Sequence, residues 1–215
     1  MVLRLRSLRS IPLFAGLTDE QLTPLARMAV GRKYPRHRTI VHAGDTTDSI
    51  FVIVQGRVKV LSGDAEGREV ILSFLGEGEC FGEMGLIDGA PRSADVVAVE
   101  ACELLEISRA DFTQALAGNP ELCLNIMKSL VMRLRQANWK IESLALMDVF
   151  GRVAKCLLEL SEEVDGVRLI RSKVTKQDLA KMVGASREMV TRVMKDLEAT
   201  GYIHIEEGVV VIVGE

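Results

Sequence analysis

Apolar positions along this chain of 215 residues change period several times. From Thr18 to Val30 they follow a helical spacing, opened by Thr18 with Gln21 three residues on, the signature of a capping box. From Arg38 to Glu106 the period becomes two. Ile50–Val54, Val58–Leu61, Val70–Leu75 and Val96–Val99 are short runs rich in β-branched residues, punctuated by Gly44-Asp45, Gly56, Gly63-Asp64, Gly67, Gly76 and Gly78. Closely spaced short strands with glycine turns predict a sandwich or barrel. After Asn119-Pro120 an uninterrupted helix runs to about Met147. Cys123, Met127, Leu130, Leu134, Ala137, Ile141 and Leu144 follow one another at spacings of four and three, which is a heptad seam. Such a seam fits a partner helix, and hence dimerisation, better than a globular core. An amphipathic helix packed on its own sandwich is the other reading. Lys128, Arg133, Arg135 and Lys140 lie off the seam.

Asp148 is a candidate N-cap for a helix from Val149 to about Ser161. The stretch from Ser161 to Ser172 is polar and acid-rich around an Asp165-Gly166 turn. Thr175, with Asp178 three residues on, caps a helix through Met182. Gly184 breaks it, and Ser186 caps a second helix from Arg187 to Ala199. Helix, glycine turn and helix at this length predict a helix-turn-helix. Tyr202–Ile205, Glu206-Glu207-Gly208 and Val209–Val213 then read as a β-hairpin wing. The expected fold class is α+β: a β-roll domain over 1–120, a dimerisation helix over 121–147, and a winged helix-turn-helix over 148–215.

Composition narrows the function. A chain 48% hydrophobic and 27% charged has the makings of ordinary cores, and a net charge of −3 excludes a wholly basic nucleic-acid coat. Local charge differs: from Arg168 to Lys195 there are eight basic residues against Asp178 and Glu188. A patch of that kind suits phosphates. Arg187, Glu188, Thr191 and Arg192 share one exposed face near the start of the second helix, where arginine suits guanine and glutamate accepts from cytosine. Val190, Val193, Met194 and Leu197 lie opposite and should be buried. No apolar run reaches a membrane span, and MVLRLRSLRS lacks the apolar core of a secretory signal. The cysteines at 80, 102, 123 and 156 have no ligand spacing, which argues for reduced thiols and against an iron–sulfur cluster. His37, His42 and His204 form no metal motif, and no nucleophile triad is visible, so a cupin-type enzyme is disfavoured. The expectation is a cytoplasmic, soluble, metal-free protein that is not an enzyme.

The most informative stretch is residues 81–98, FGEMGLIDGAPRSADVVA. Around one Asp-Gly-Ala-Pro turn it gathers a carboxylate (Glu83), a guanidinium (Arg92), a hydroxyl (Ser93) and free backbone N–H groups. A cyclic phosphodiester beside a ribose hydroxyl needs that set: a fork for phosphate, an anion nest and a carboxylate acceptor. The stretch resembles the phosphate-binding cassette of cyclic nucleotide-binding domains. The resemblance implies an eight-stranded jelly roll. In it Gly82 and Ala94 would offer backbone N–H groups, Glu83 would hold the ribose 2′-hydroxyl beside Met84, and Arg92 with Ser93 would hold the phosphate.

LALMDVFGRVAKCLLEL and VGASREMVTRVMKDLE are similar to the C-terminal domain of the cyclic AMP receptor protein (CRP/FNR) family of bacterial transcription regulators, and the likeness runs from about residue 34. By that resemblance Arg187, Glu188 and Arg192 read bases of a TGTGA-type half-site, and Thr175, Lys176, Gln177, Ser186 and Thr191 complete the DNA-binding set. Arg133 matches a helix residue that closes over the ribose-binding glutamate. Ala137 and Asn138 stand where the family's receptor has a Thr-Ser pair that contacts adenine, one residue from each subunit. Ala137 has no hydrogen-bonding side chain, whereas Asn138 could serve an adenine or a guanine edge. Trp139 either stacks on a purine or packs.

The expected effector is cyclic AMP, with cyclic di-GMP competing; the Arg-Ser pair favours a single cyclic phosphate. Expected partners are palindromic TGTGA-like double-stranded DNA, a second copy of the chain and RNA polymerase. A cyclic nucleotide sensor subunit that binds no DNA is the rival reading.

Overall fold

The computed structural model describes residues 8–9, 11–170, 174–206 and 209–213. Cα packing divides the chain into two compact units, 1–134 and 135–215.

In the first unit, helix α1 (Asp19–Met28) starts where the capping box places it. The Gln21 N–H donates to Thr18 Oγ1 at 3.4 Å and the Gln21 side chain accepts from the Thr18 N–H at 2.8 Å. It ends two residues early, because Val30 opens strand β1 (Val30–Tyr34). Seven strands follow: β2 (Thr39–Val41), β3 (Ser49–Gln55), β4 (Val58–Gly63), β5 (Glu69–Leu75), β6 (Cys80–Phe81), β7 (Asp95–Ala98) and β8 (Cys102–Ser108). They form two antiparallel sheets, β1-β8-β3-β6 and β2-β7-β4-β5, the eight-stranded roll that the resemblance implies.

Strand β3 explains the layering. Ser49 to Ile53 are all buried, yet alternate side chains serve different cores. Phe51 and Ile53 point between the sheets with Val58, Val96, Ala98 and Leu104. Ile50 and Val52 point outward against Phe14, Leu22, Leu25 and Phe112. A period-two strand can be buried on both faces only if something covers its back. Here α1, the segment before it and helix α3 (Arg109–Gly118) do so. Each fully buried aliphatic or aromatic side chain contributes about 1.5–3 kcal/mol. Between β6 and β7 the chain forms a six-residue helix, α2 (Glu83–Asp88), where the sequence predicts only an apolar stretch and a turn.

Helix α4 (Pro120–Leu146) is the long uninterrupted helix. Leu122 and Ile126 bury one stripe in the core beneath α1. Of the predicted seam, Met127, Leu134, Ala137, Ile141 and Leu144 are exposed, whereas Leu130 packs against that core and Cys123 is half-buried, as the packed-helix reading expects.

In the second unit, α5 (Val149–Leu160) is capped by Asp148, α6 (Lys176–Val183) by Thr175 and α7 (Arg187–Ala199) by Ser186; each cap accepts the N–H three residues on. Val153, Leu157, Leu179, Val183, Val190, Val193, Met194 and Leu197 form their shared core, and the last four are the predicted buried face of α7. The acid-rich stretch is strands β9 (Glu162–Val164) and β10 (Val167–Ile170). Asp165 and Gly166 both take positive φ between them, the twist a two-residue hairpin turn needs. Strands β11 (Ile203–Glu206) and β12 (Val209–Ile212) form the predicted wing and join β10 and β9 in one sheet. The wing's turn at Glu207-Gly208 lies outside the described residues.

Candidate functional site

Strand β6 pairs with β3 and delivers the chain to Gly82. There φ is +88°, and an added Cβ would stand 2.1 Å from Arg92 Nη1 and 3.2 Å from the Ser49 carbonyl oxygen. Only glycine fits both the left-handed backbone and the space. The turn places Glu83 at the first position of α2, 2% exposed.

Its carboxylate is half satisfied. Oε1 accepts from Arg133 Nη1 at 2.7 Å, and Arg133 Nη2 also donates to the Cys80 carbonyl. Oε2 is buried and has no hydrogen-bond partner among the described residues. An unmet buried acceptor costs roughly 1–3 kcal/mol, and more when charged. A ligand hydroxyl donated to Oε2 would remove that cost, so the residues present fit a ribose.

Arg92 is the second buried charge, 7% exposed. Its guanidinium donates to the Ser49 carbonyl at 2.8 Å, to Ser49 Oγ at 3.3 Å and to the Gly82 carbonyl at 3.2 Å. It lies 3.8 Å from Asp48 Oδ1 and faces the Phe51 ring. Burial lowers its pKa, opposed by Asp48, Asp45 and Glu83, and a guanidinium stays charged throughout. Ala94 is buried; Ser93 and Met84 are exposed. A cavity of about 610 Å³ also reaches Arg92, lined by Tyr34, Ile40, Phe51, Asp45, Asp48 and the Arg32–Glu106 ion pair; Glu83 does not line it.

The predicted link from cassette to long helix, Glu83–Arg133, is therefore formed. Ala137 and Asn138 are exposed on that helix. They belong to the second unit. Trp139 is engaged by Lys155, whose ammonium stands 3.6 Å from the ring centroid, so at least one ring face serves packing.

In the second unit, Thr175 Oγ1 accepts from the Asp178 N–H at 3.0 Å and donates to Asp178 Oδ2 at 2.7 Å. Lys176 and Gln177 project beside it. Ser186 Oγ accepts from the Met189 N–H at 3.2 Å, fixing the start of α7. Arg187, Glu188, Thr191 and Arg192 converge on one groove of about 410 Å³, which Lys195 also lines. Hydrogen bonds from its own N–H and from the Ser186 hydroxyl hold the Glu188 carboxyl below the usual range, so it is an anion and an acceptor. The Thr191 hydroxyl donates to the Arg187 carbonyl at 2.8 Å. Arg171 and Lys173, counted in the basic stretch, lie outside the described residues.

Over residues 31–119 the chain matches the cyclic nucleotide-binding domain family, and over residues 151–213 the Crp-like helix-turn-helix domain family. It is 38% identical to the cAMP-activated global transcriptional regulator CRP of Haemophilus influenzae, over 85% of this chain and 83% of that protein. It is likewise 38% identical to the cAMP-activated regulator Vfr of Pseudomonas aeruginosa, over 85% and 89%. The chain belongs to the CRP/FNR family.

Among solved structures of that family, the c-di-GMP responsive global regulator CLP of Xanthomonas campestris superposes with a TM-score of 0.80 at 30% identity, covering 92% of this chain and all of that one. The catabolite activator protein of Thermus thermophilus is 32% identical, with a TM-score of 0.57 over 94% and 93%. As a CRP/FNR protein the chain is a cyclic nucleotide-responsive, DNA-binding transcription regulator, which removes the sensor-subunit reading. The family's regulators are not enzymes. No helix among the described residues is long and apolar enough to cross a membrane.

Three participants do not follow from the CRP/FNR resemblance. Ser49 and Asp48 hold Arg92, and Arg109 braces α2. Their contacts run through backbone carbonyls or across long sequence separations, so no local pattern marks them.

Proposed function

We propose that this chain is a homodimeric regulator that binds cyclic AMP in each β-roll and, so loaded, binds palindromic TGTGA-like DNA in the cytoplasm and meets RNA polymerase there. One observation carries the ligand half: the buried Glu83 carboxylate has one oxygen on Arg133 and the other unmet, beside a buried Arg92. Oε2 would take the ribose hydroxyl. Arg92 and Ser93 would hold the phosphate, with Gly82 and Ala94 offering N–H groups and Met84 at the rim. Names of relatives such as CRP and Vfr support cyclic AMP.

The exposed apolar positions Met127 and Leu134, and further along the same helix Ile141 and Leu144, support the homodimer, since a seven-residue apolar period suits a partner helix. Arg133 lies on the same helix, so an effector touching Glu83 can bias how two such helices meet. A shift from 1:99 to 99:1 between two arrangements needs about 5.5 kcal/mol of differential affinity, which two sites share. In the DNA half, Arg187, Glu188 and Arg192 would read base edges, while Thr175, Lys176, Gln177, Ser186 and Thr191 would position α7 on the backbone and groove.

Cyclic di-GMP is the second reading. The CLP relative responds to it, and Ala137-Asn138 offers no hydroxyl pair for adenine. Parallel isothermal titrations with cyclic AMP, cyclic GMP and cyclic di-GMP, followed by retardation of a TGTGA duplex at fixed salt, separate the readings. Cyclic AMP binding that strengthens retardation is expected. Binding of cyclic di-GMP alone would keep the architecture and change the effector.

A further inference from the structure

Helix α2 is only six residues long, too short to persist on its own; the Gly89 N–H closes it onto the Gly85 carbonyl at 3.2 Å, which leaves its end thinly held. Arg109, the first residue of α3, adds a second donor at Gly85 and one at Leu86. Its Nη2 donates to the Gly85 carbonyl at 2.9 Å and to the Thr47 carbonyl at 2.6 Å. Its Nη1 donates to the Leu86 carbonyl at 3.3 Å, and its Nε to the Thr47 carbonyl, also at 3.3 Å. Its own backbone N–H goes to the Asp48 carbonyl at 2.7 Å. One guanidinium thus ties the cassette helix to the loop that precedes β3.

Other contacts close the ring. Thr47 is buried and its hydroxyl donates to the Ala90 carbonyl at 3.1 Å. Gly85 lies so close that an added Cβ would stand 2.3 Å from Thr47 Oγ1 and 2.4 Å from the Ala90 carbonyl oxygen. The same loop takes the Arg92 N–H on the Asp45 carbonyl and gives the Gly44 N–H to the Arg92 carbonyl, both at 2.8 Å. Glu83 begins the helix that Arg109 ties down, and Arg92 hangs from the loop it grips.

We propose that Arg109 is a positioning residue for the nucleotide: through α2 and the loop around Thr47 it holds Glu83 and Arg92 in their binding arrangement before ligand arrives. This rests on the cyclic nucleotide reading of the same site. Without the clamp, the Leu86 carbonyl turns to water, the Gly85 carbonyl keeps only the Gly89 N–H, and only a fraction of molecules carries the competent cassette. The apparent Kd rises by the inverse of that fraction, while the loaded state is unchanged.

Arg109→Ala and Arg109→Lys test this in the full-length protein, by cyclic AMP titration, hydrogen exchange over residues 83–90 and DNA retardation at saturating nucleotide. For R109A a Kd roughly tenfold or more weaker is expected, corresponding to a competent fraction of about 0.1 or less. DNA affinity at saturation should match the parent protein. Exchange over 83–90 should be faster only in the ligand-free state. R109K keeps the charge but not the fork and should fall between.

An unchanged Kd in R109A overturns the proposal. So does lost DNA affinity at saturating nucleotide, or exchange raised across the whole sandwich, since either marks a general folding role. If R109A does not fold, R109K decides by the same readouts. If the parent protein binds no cyclic nucleotide, the ligand reading fails by itself; unaltered exchange over 83–90 in R109A would then sink the clamp separately.

Discussion

The two ends of this regulator carry charge in opposite ways. In the cassette, Glu83 and Arg92 are buried, and each is held by carbonyls, a guanidinium or a neighbouring hydroxyl. On α7, Arg187, Glu188 and Arg192 stand in solvent on a helix whose opposite face is fully buried. Buried charges are strongly coupled to the fold, because removing one partner strands the other. Exposed charges on a capped helix are decoupled from it. A sensor that must change shape with its ligand needs the first arrangement, and a reader that must keep its shape on DNA needs the second. Substitutions should separate the two regions accordingly.

Gly82→Ala is expected to do the most damage. It combines a positive φ with a Cβ 2.1 Å from Arg92 Nη1, so backbone strain and overpacking add to about 3–5 kcal/mol. Urea unfolding should show the loss together with lost nucleotide binding. A fully stable G82A protein would mean that the cassette tolerates another turn geometry. Next comes Arg133→Ala, which leaves the Glu83 carboxylate with neither oxygen paired. Breaking a buried pair costs about 3–5 kcal/mol, but Arg133 is 29% exposed and water screens part of it, so about 1–3 kcal/mol is expected. Adding Glu83→Gln to R133A should restore part of that stability but not nucleotide affinity. No recovery in the double variant would show that Arg133 acts mainly by packing.

The same contrast explains what was legible beforehand. Caps at Thr18, Asp148, Thr175 and Ser186 act over three residues, so sequence alone placed four helix starts. The heptad of α4 and the buried face of α7 are periodic within one element. Strand β1 was not legible, because Gly31, Arg32 and Lys33 are exposed and its extended form comes from pairing with β8. Strands β9 and β10 hid behind acidic residues for the same reason: partners, not period, make them strands. At the site, the order of Gly82, Glu83, Arg92 and Ser93 was readable as chemistry. The unmet Glu83 oxygen and the grip of Arg109 were not, since both depend on atoms brought together from distant segments.

Arg192→Ala should leave thermal stability within about 0.5 kcal/mol, its side chain being exposed. Its cost should appear on DNA as about 1–3 kcal/mol at one base position. Retardation of single-base variants at fixed salt measures this. A uniform loss on every sequence would make Arg192 a phosphate contact.

Thr191→Val is the smallest and the sharpest of these changes. The hydroxyl already donates to the Arg187 carbonyl, and Thr191 is only half-buried, so the fold should shift by less than about 0.5 kcal/mol. Valine keeps the methyl group that could lie against a thymine, and it lacks only the hydroxyl. If Thr191 meets DNA through that methyl, T191V should match the parent protein on every single-base variant while Thr191→Ala weakens one position. A loss in T191V at one base pair would show that the hydroxyl reads a base, either by accepting from a base amino group while it donates to the Arg187 carbonyl or by leaving that carbonyl to donate.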